Sequence, residues 1–287
     1  MNPLIDPSCL SVYILIFHGS SDPRSRFASE ALTSRFRDQV SSTRQAGWVA
    51  DNSPISIRSD GLLSLKQEAS STLEAVEPCD REQPSVYAAY LECHPLPLHQ
   101  QIEQIAQQVQ AANPLKKLSL RLIPVFLLPG VHVREDIPAE IAQAQQLLGN
   151  SVTLEVTAHL GSHAGLRPLL NERLSPLPLS AWILIAHGSR RSDANQPIAA
   201  LANDLGVTVA YWSVTPNLES RLQESVRSGC KNISILPFFL FHGGITDAIA
   251  RSISQFSQQY PTLTITLTDP LDASPGLVDL LVDLANP

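Results

Sequence analysis

An internal repeat constrains the fold of this 287-residue chain more than any other feature. Residues 14–20 read ILIFHGS and residues 183–189 read ILIAHGS, so an apolar run ends in His-Gly-Ser twice. Farther along, IPVFLLPGVHVREDI at 123–137 is echoed by LPFFLFHGGITDAI at 236–249. Self-similarity of this kind indicates two copies of one structural unit. We therefore expect two tandem modules of the same fold.

Each half of the chain alternates apolar strand-like runs with helix-like segments. In the first half, the runs VYILIF (12–17) and VYAAYLE (86–92) precede an amphipathic segment at 98–112. Strands that alternate with helices at this spacing are typical of βαβ units and a parallel sheet. The sequence therefore predicts an α/β protein with modules at residues 1–175 and 180–287, separated by a proline-containing segment.

The first half also contains an additional segment at about residues 41–84, between its first two predicted strands. This segment is rich in Ser and also contains Asp, Glu and Gly, a polar composition typical of surface insertions. Two forms of it remain open, a flexible loop and an ordered flap over a functional site.

The composition excludes several classes of protein. The hydrophobic content of 44% is that of a globular chain, and the net charge of −7 argues against non-specific nucleic-acid binding. No apolar run reaches the roughly 18–20 residues that a membrane span needs, and the first residues lack the positive charge of a signal peptide. We therefore expect a cytoplasmic protein with no nucleic-acid or membrane partner.

The four cysteines form no CxxC pair, so reduced thiols are expected. For Cys93 we expect a buried free thiol, with metal ligation beside Glu92 as the alternative.

Polar side chains follow the predicted strands of the first half. His18 follows the first strand, Glu92 ends the second, and His132 lies in the loop after the third. His159, after the fourth strand, is a weaker candidate. Because ligands of open parallel sheets bind beyond the carboxyl ends of the strands, the two imidazoles and the carboxylate should converge. They suit a borderline divalent cation such as Fe²⁺, Co²⁺, Ni²⁺ or Zn²⁺, and they can also accept protons near neutral pH.

Each of these three residues also has an ordinary structural interpretation. His18 can tie down the Gly-Ser turn that follows it, and His132 can cap the helix that begins nearby. Glu92 can be a solvated strand end. These interpretations stay open at the level of single residues.

The second half of the repeat bears on this choice. It keeps His187 opposite His18, but it has Ser213 and Ile245 opposite Glu92 and His132. A purely structural role would be needed equally in both halves. The sequence therefore predicts one functional site, in the first half, with His242 as a candidate partial replacement in the second.

These motifs resemble the class II chelatases of tetrapyrrole biosynthesis, the sirohydrochlorin chelatases of the CbiX/SirB type. The resemblance is carried by LIFHGSSDPRS (15–25), AYLE (89–92) and PVFLLPGVHVREDIPAEI (124–141). It implies a chelatase-like fold of two modules, each with a parallel β-sheet flanked by helices, and a cleft between them. Since short members are single modules that dimerise, it also implies a monomer in this fused form.

The resemblance further implies a lyase-class enzyme that inserts Fe²⁺ or Co²⁺ into sirohydrochlorin, toward sirohaem or cobalamin. His18, His132 and Glu92 would bind the metal and assist deprotonation of the ring. The metal would be a substrate, and no tightly bound cofactor is expected. Two alternatives remain open, a non-catalytic tetrapyrrole or metal carrier and another reaction on a related α/β scaffold.

The implied substrate is rich in carboxylates, which an acidic protein must bind through local positive charge. Arginine pairs with carboxylates in a bidentate manner, and backbone N–H groups at helix starts add anion contacts. The predicted substrate-binding residues are Ser20, Arg24, Arg26, Arg134, Arg190 and Arg191.

Overall fold

Two parallel β-sheets, one in each half of the chain, form the framework of the computed structural model, which describes residues 9–49, 84–174 and 181–286. Each sheet has four strands, in the orders β2-β1-β3-β4 and β6-β5-β7-β8. The strands are β1 (Cys9–Phe17), β2 (Ser85–Tyr90), β3 (Lys117–Pro124), β4 (Val152–Val156), β5 (Ala181–Ala186), β6 (Thr208–Tyr211), β7 (Asn232–Pro237) and β8 (Thr264–Leu267). The predicted α/β fold with two tandem parallel sheets is confirmed.

Helices connect the strands of both sheets. They are α1 (Pro23–Val49), α2 (Leu98–Ala112), α3 (Ile137–Leu148), α4 (Leu166–Leu174), α5 (Ser192–Asp204), α6 (Leu218–Arg227), α7 (Gly244–Gln259) and α8 (Leu277–Ala285). A short π-helix, His132–Asp136, precedes α3. Among the described helices, none combines the length and the apolar character needed to cross a membrane.

The central strand β1 is buried on both faces, which explains its continuous apolar sequence. Because side chains alternate along a strand, Leu15 and Phe17 face one side and Ile14 and Ile16 face the other. The second set packs against α2 and α3 in an outer core. The first set enters a core that also contains side chains of the second sheet and its helices, and we call it the shared core.

Helices α4 and α8 join the halves through symmetric contacts. A Cβ added to Gly165 before α4 would lie 2.5 Å from Leu280 of α8, and one added to Gly276 before α8 would lie 3.0 Å from Leu169 of α4. Each half therefore contributes a glycine before its helix that faces a leucine of the other helix, as equivalent residues do across the symmetric interface of a dimer. The C-terminal helix α8 is therefore a structural part of both halves.

Backbone hydrogen bonds repeat between the halves and fix the alignment of the two modules. The amide N–H of Glu92 donates to the carbonyl oxygen of His18 (2.8 Å), and that of Ser213 donates to the carbonyl oxygen of His187 (2.9 Å). The structure thus places Ser213 where the first half has Glu92, in agreement with the alignment of the sequence repeat.

Two features predicted from the sequence fall wholly or partly outside the described residues. Helix α1 continues through Val49, so the beginning of the additional segment at 41–84 is helical. Residues 50–83 lie outside the described ranges, and so do residues 175–180 at the predicted module boundary.

The shared core predicts that α8 is needed for the stability of the whole chain. Leu281 is fully buried in this core, so Leu281→Ala should lower the free energy of unfolding by about 2–5 kcal/mol. Leu115, which is 97% exposed, provides a matched Leu→Ala control with an expected change below about 0.5 kcal/mol. Urea unfolding of both variants measures the difference. Equal stabilities would show that α8 contributes little to the shared core.

Candidate functional site

The three predicted ligands of the first half meet at the carboxyl edge of its sheet. His18 follows β1, Glu92 lies just beyond β2, and His132 begins the π-helix after β3. Since β1 is the neighbour of both β2 and β3, all three residues emerge at the same place. We call His18, Glu92 and His132 the His/Glu triad.

A glycine allows the first two members of the triad to lie side by side. Gly19 has a φ of 92°, in the left-handed region that side chains other than glycine rarely adopt. A Cβ at this position would lie 1.9 Å from the carbonyl oxygen of Glu92. The loops after β1 and β2 therefore approach each other as closely as they do only because residue 19 is glycine.

The triad has the distances of a metal site. The Nε2 atoms of His18 and His132 are 3.2 Å apart, and His18 Nε2 lies 3.9 Å from Glu92 Oε2. The three ligand atoms all lie within 4.8 Å of one another. The side chains of His18 and Glu92 are each 50% exposed, so an ion from solvent can reach them.

The hydrogen bonds of the two imidazoles determine which nitrogens face each other. Nδ1 of His18 lies 2.9 Å from the carbonyl oxygen of Gly19, and Nδ1 of His132 lies 2.7 Å from Oδ2 of Asp136. Both partners can only accept, so each Nδ1 carries the proton and each neutral ring keeps a lone pair on Nε2. A hydrogen bond between the two Nε2 atoms would need one ring to be protonated on both nitrogens. A cation bound by both lone pairs satisfies this arrangement directly.

The structure supports the purely structural interpretation of His18 in part and does not support that of His132. His18 does tie down the turn after β1 through Nδ1, and its Nε2 faces the triad at the same time. Neither the π-helix nor α3 has a side-chain capping hydrogen bond at its N-terminus, and Nδ1 of His132 contacts Asp136 instead. Asp136 was not among the residues predicted from the sequence. Its spacing of four residues from His132, which brings side chains together on a helix, was the signal available.

A large cavity opens at the triad, between the two halves of the chain. Its volume is about 710 Å³, and residues of both halves line it. Its apolar wall includes Phe126, whose ring centroid is 6.3 Å from those of both His18 and His132. Phe17 and Phe241 meet across the halves, with ring centroids 5.9 Å apart. The predicted cleft between the modules therefore exists, and its wall is largely aromatic and aliphatic beside the triad.

The predicted substrate-binding residues occupy different positions relative to this cavity. Ser20 and Arg26 line it, and Arg26 forms an ion pair with the exposed Glu30 on its own helix, at 3.0 Å. The exposed arginines that follow are not among the described residues lining the cavity: Arg134, Arg190 and Arg191.

Arg24 links the two halves through two carboxylates. Its guanidinium group lies 2.7 Å from Asp22 and 2.7 Å from Asp247 at the start of α7. Hydrogen bonds from Arg24 hold the pKa of both carboxyl groups below the usual range, and the two carboxylates raise the pKa of Arg24. This ion-pair cluster joins the loop after β1 to the second half beside the cavity.

The second half does not reproduce the triad. His187 lines the cavity, but the hydroxyl of Ser213 donates to backbone oxygens after β5. His242 Nε2 lies 3.6 Å from Asp269. Within the described residues, one group of three potential metal ligands is present, the His/Glu triad.

Two other residues considered from the sequence lie outside the triad. Burial lowers the pKa of His159, which favours its neutral form. Cys93 is exposed and lines the cavity, so the expectation of a buried thiol was wrong. The reason is its place in the turn beyond β2, where it has a φ of 57°.

Comparison with known proteins identifies relatives of both halves. A family model described as CbiX matches residues 64–177 and again residues 181–286, which together form well over half of the chain. The chain is 25% identical over 180 residues to the sirohydrochlorin cobaltochelatase of Priestia megaterium, covering 57% of this chain and 58% of that one. It is 26% identical over 152 residues to the sirohydrochlorin ferrochelatase of the same organism, covering 48% and 56%. The match spans less than two thirds of either relative.

Solved structures share the fold over nearly the full length. SirB from Bacillus subtilis with Fe³⁺ superposes with a TM-score of 0.65 at 17% identity, over 96% of this chain and 94% of that chain. CbiX, the terminal enzyme for sirohaem biosynthesis in denitrifying bacteria, superposes with a TM-score of 0.56 at 16% identity, over 96% and 97%. At these identities the structures establish a common architecture. Because the family model matches in each half and over most of the sequence, this chain belongs to the CbiX family.

Proposed function

We propose that this protein is a chelatase that inserts a divalent metal ion, Fe²⁺ or Co²⁺, into sirohydrochlorin. The observation that carries the proposal is the pair of Nε2 atoms of His18 and His132, which line the cavity and lie 3.2 Å apart, with Glu92 Oε2 3.9 Å from His18 Nε2. The two curated relatives are named for this reaction with cobalt and with iron. SirB structures that contain Fe³⁺ or cobalt support the same metals.

The triad binds the metal before it enters the ring. Imidazole nitrogen and carboxylate oxygen together suit Fe²⁺ and Co²⁺, and this ligand set does not discriminate strongly between them. Three protein ligands leave coordination positions open. Because His18 and His132 line the cavity, the nitrogens of a ring bound there could replace the protein ligands one by one.

Insertion also requires that the ring lose two pyrrole protons, so that one M²⁺ enters as two H⁺ leave. As the metal passes to the ring, the imidazoles of His18 and His132 and the carboxylate of Glu92 are released from it. Released imidazoles and carboxylates are suitable general bases. The same three side chains therefore supply both the metal and the proton acceptors.

The cavity holds the ring between apolar walls and its carboxylates at the rim. We propose that Ser20, Arg24, Arg26, Arg134, Arg190 and Arg191 bind these carboxylates. Arg26 is the arginine best placed to reach a bound ring because it lines the cavity. Its ion pair with Glu30 is exposed, so breaking that pair to bind a substrate carboxylate would cost little free energy. Arg24 must first exchange Asp22 or Asp247 for a substrate carboxylate.

The two modules have separate roles in this proposal. The module at residues 1–175 carries the single active site. The module at residues 180–287 is a degenerate copy that supplies the far wall of the cavity, including Phe241. The fused chain then acts as a monomer in place of a dimer of single modules.

Removal of a triad imidazole tests the proposal. His18→Ala and His132→Ala should each slow metal insertion by about 100-fold or more, since both metal delivery and general-base catalysis are affected. The rate is measured anaerobically from the absorbance of sirohydrochlorin with Co²⁺ or Fe²⁺. His242→Ala, which removes an exposed histidine of the second half that does not line the cavity, should retain the wild-type rate.

Two results would contradict the proposal. Wild-type rates in both triad variants would place the chemistry elsewhere in the chain. Tight binding of sirohydrochlorin by the wild-type protein, without acceleration over the uncatalysed reaction, would identify a carrier instead of an enzyme.

Carboxylate recognition is tested separately by ring binding without metal. Arg26→Ala should weaken sirohydrochlorin binding by about tenfold or more, because a hydrogen bond to a charged group contributes about 1.5–3 kcal/mol. Arg167 is an exposed arginine of α4 outside the cavity lining, and Arg167→Ala is the matched control. Equal dissociation constants for the two variants would exclude Arg26 from the binding site.

A further inference from the structure

We infer that Asp136 is a positioning residue that holds His132 in the orientation and tautomer needed to capture the metal. The inference rests on the proposed function, since it concerns metal binding by His132. Oδ2 of Asp136 lies 2.7 Å from Nδ1 of His132, on the side of the ring away from His18. The side chains are 36% and 44% exposed, so as a surface ion pair the contact would contribute little stability. We therefore expect the contact to act mainly by orienting the imidazole ring of His132.

The tautomer explains why orientation matters. A neutral imidazole carries its proton on either nitrogen, and the hydrogen bond made by one nitrogen determines the state of the other. Asp136 can only accept from Nδ1, so the lone pair is on Nε2, toward His18. Without this acceptor the ring of His132 can rotate, and it can also place its proton on Nε2, where the metal would bind. Carboxylates that orient metal-binding histidines in this way are common in metalloproteins.

The other imidazole of the triad is oriented by the backbone. Nδ1 of His18 contacts the carbonyl oxygen of Gly19, which no substitution removes. Asp136 is therefore the side chain whose removal changes the orientation of a triad ring while all three ligands remain in place.

An extra residue in the first half produces the local structure around this pair. Thirteen positions separate Pro124 from Ile137, but twelve separate Pro237 from Ile249. Ile137 and Ile249 are equivalent buried residues on the inner faces of α3 and α7. The extra residue falls in the segment that contains the π-helix, and the corresponding start of α7 is a regular α-helix.

This insertion has a functional consequence. A π-helical turn accommodates one additional residue without changing the register of the helix that follows, and such turns are frequent at functional sites. Here it places His132 and Asp136 at the cavity while Ile137 stays in the outer core.

The second half lacks both members of the pair. When the halves are aligned at Pro124 and Pro237, Ile245 aligns with His132 and Ile249 with Asp136. When they are aligned at Ile137 and Ile249, Ala248 aligns with Asp136. The carboxylate at the start of α7, Asp247, pairs with Arg24 instead. Imidazole and carboxylate are thus both present in one half and both absent in the other, as expected for residues that act together.

A helix N-terminus offers an alternative explanation for Asp136. Asp136 precedes α3, and a negative charge at that end stabilises a helix by about 0.3–1 kcal/mol. In that case its removal would lower stability and leave metal affinity unchanged. The experiment must therefore measure both quantities.

The experiment is a titration of the full-length protein with Co²⁺ alone, followed by the visible absorption of the bound ion, which reports its coordination. Asp136→Ala should raise the Kd by about 10–100-fold, the usual effect of losing such an outer carboxylate, and should alter the spectrum. Asp136→Asn keeps an oxygen acceptor for Nδ1, so it should recover much of the affinity. Glu135→Ala removes the adjacent exposed carboxylate of the same π-helix and should leave Kd and spectrum unchanged.

Three results would overturn the inference. One is a wild-type Kd and spectrum for Asp136→Ala, including the case in which only its urea midpoint falls. Another is equal weakening by Glu135→Ala, which would indicate general electrostatic attraction. The third is a wild-type protein that neither binds Co²⁺ nor metallates sirohydrochlorin, and this result removes the proposed function as well. If His132→Ala abolishes metallation while Asp136→Ala changes nothing, the proposed function stands and the inference alone is wrong.

Discussion

The close approach of the loops after β1 and β2 is the constraint on which the site depends. It is possible because residue 19 is a glycine with a left-handed backbone conformation. A Cβ at this position would lie 1.9 Å from the backbone oxygen of Glu92. The N–H of Glu92 then bonds to the backbone of His18. The backbones of His18 and Glu92 are thereby held side by side, and His132, at the start of the π-helix, lies next to them.

In the duplicated fold, the features that stabilise the structure occur in both halves, whereas the candidate site lies in one. Both halves use the same strand order and the same backbone hydrogen bonds at the strand ends, and symmetric contacts of α4 and α8 join them around the shared core. Within the described residues, the His/Glu triad and the π-helix belong to the first half. The strands and helices of the second half thus form without a copy of the triad among the described residues.

The fold and the proximity of the three triad residues can be predicted from the sequence because both follow from local rules. Because the carboxyl ends of parallel strands share one edge of the sheet, the sequence predicts that His18, Glu92 and His132 lie close together. The four-residue spacing of His132 and Asp136 is compatible with a contact between them, but it does not show that the carboxylate meets Nδ1 of the imidazole, because that depends on the π-helical backbone of this segment. Nor does the sequence indicate that Arg24 contacts Asp247, because this partner comes from the other module and its approach depends on how the halves pack.

X-ray absorption at the cobalt edge of the Co²⁺-loaded protein tests the central claim most directly. Coordination by the triad predicts light nitrogen and oxygen donors, with the scattering pattern of two imidazoles in wild type and of one in His132→Ala. A spectrum with the same number of imidazoles in both proteins, or with none, would show that the facing Nε2 atoms of His18 and His132 do not form the metal site.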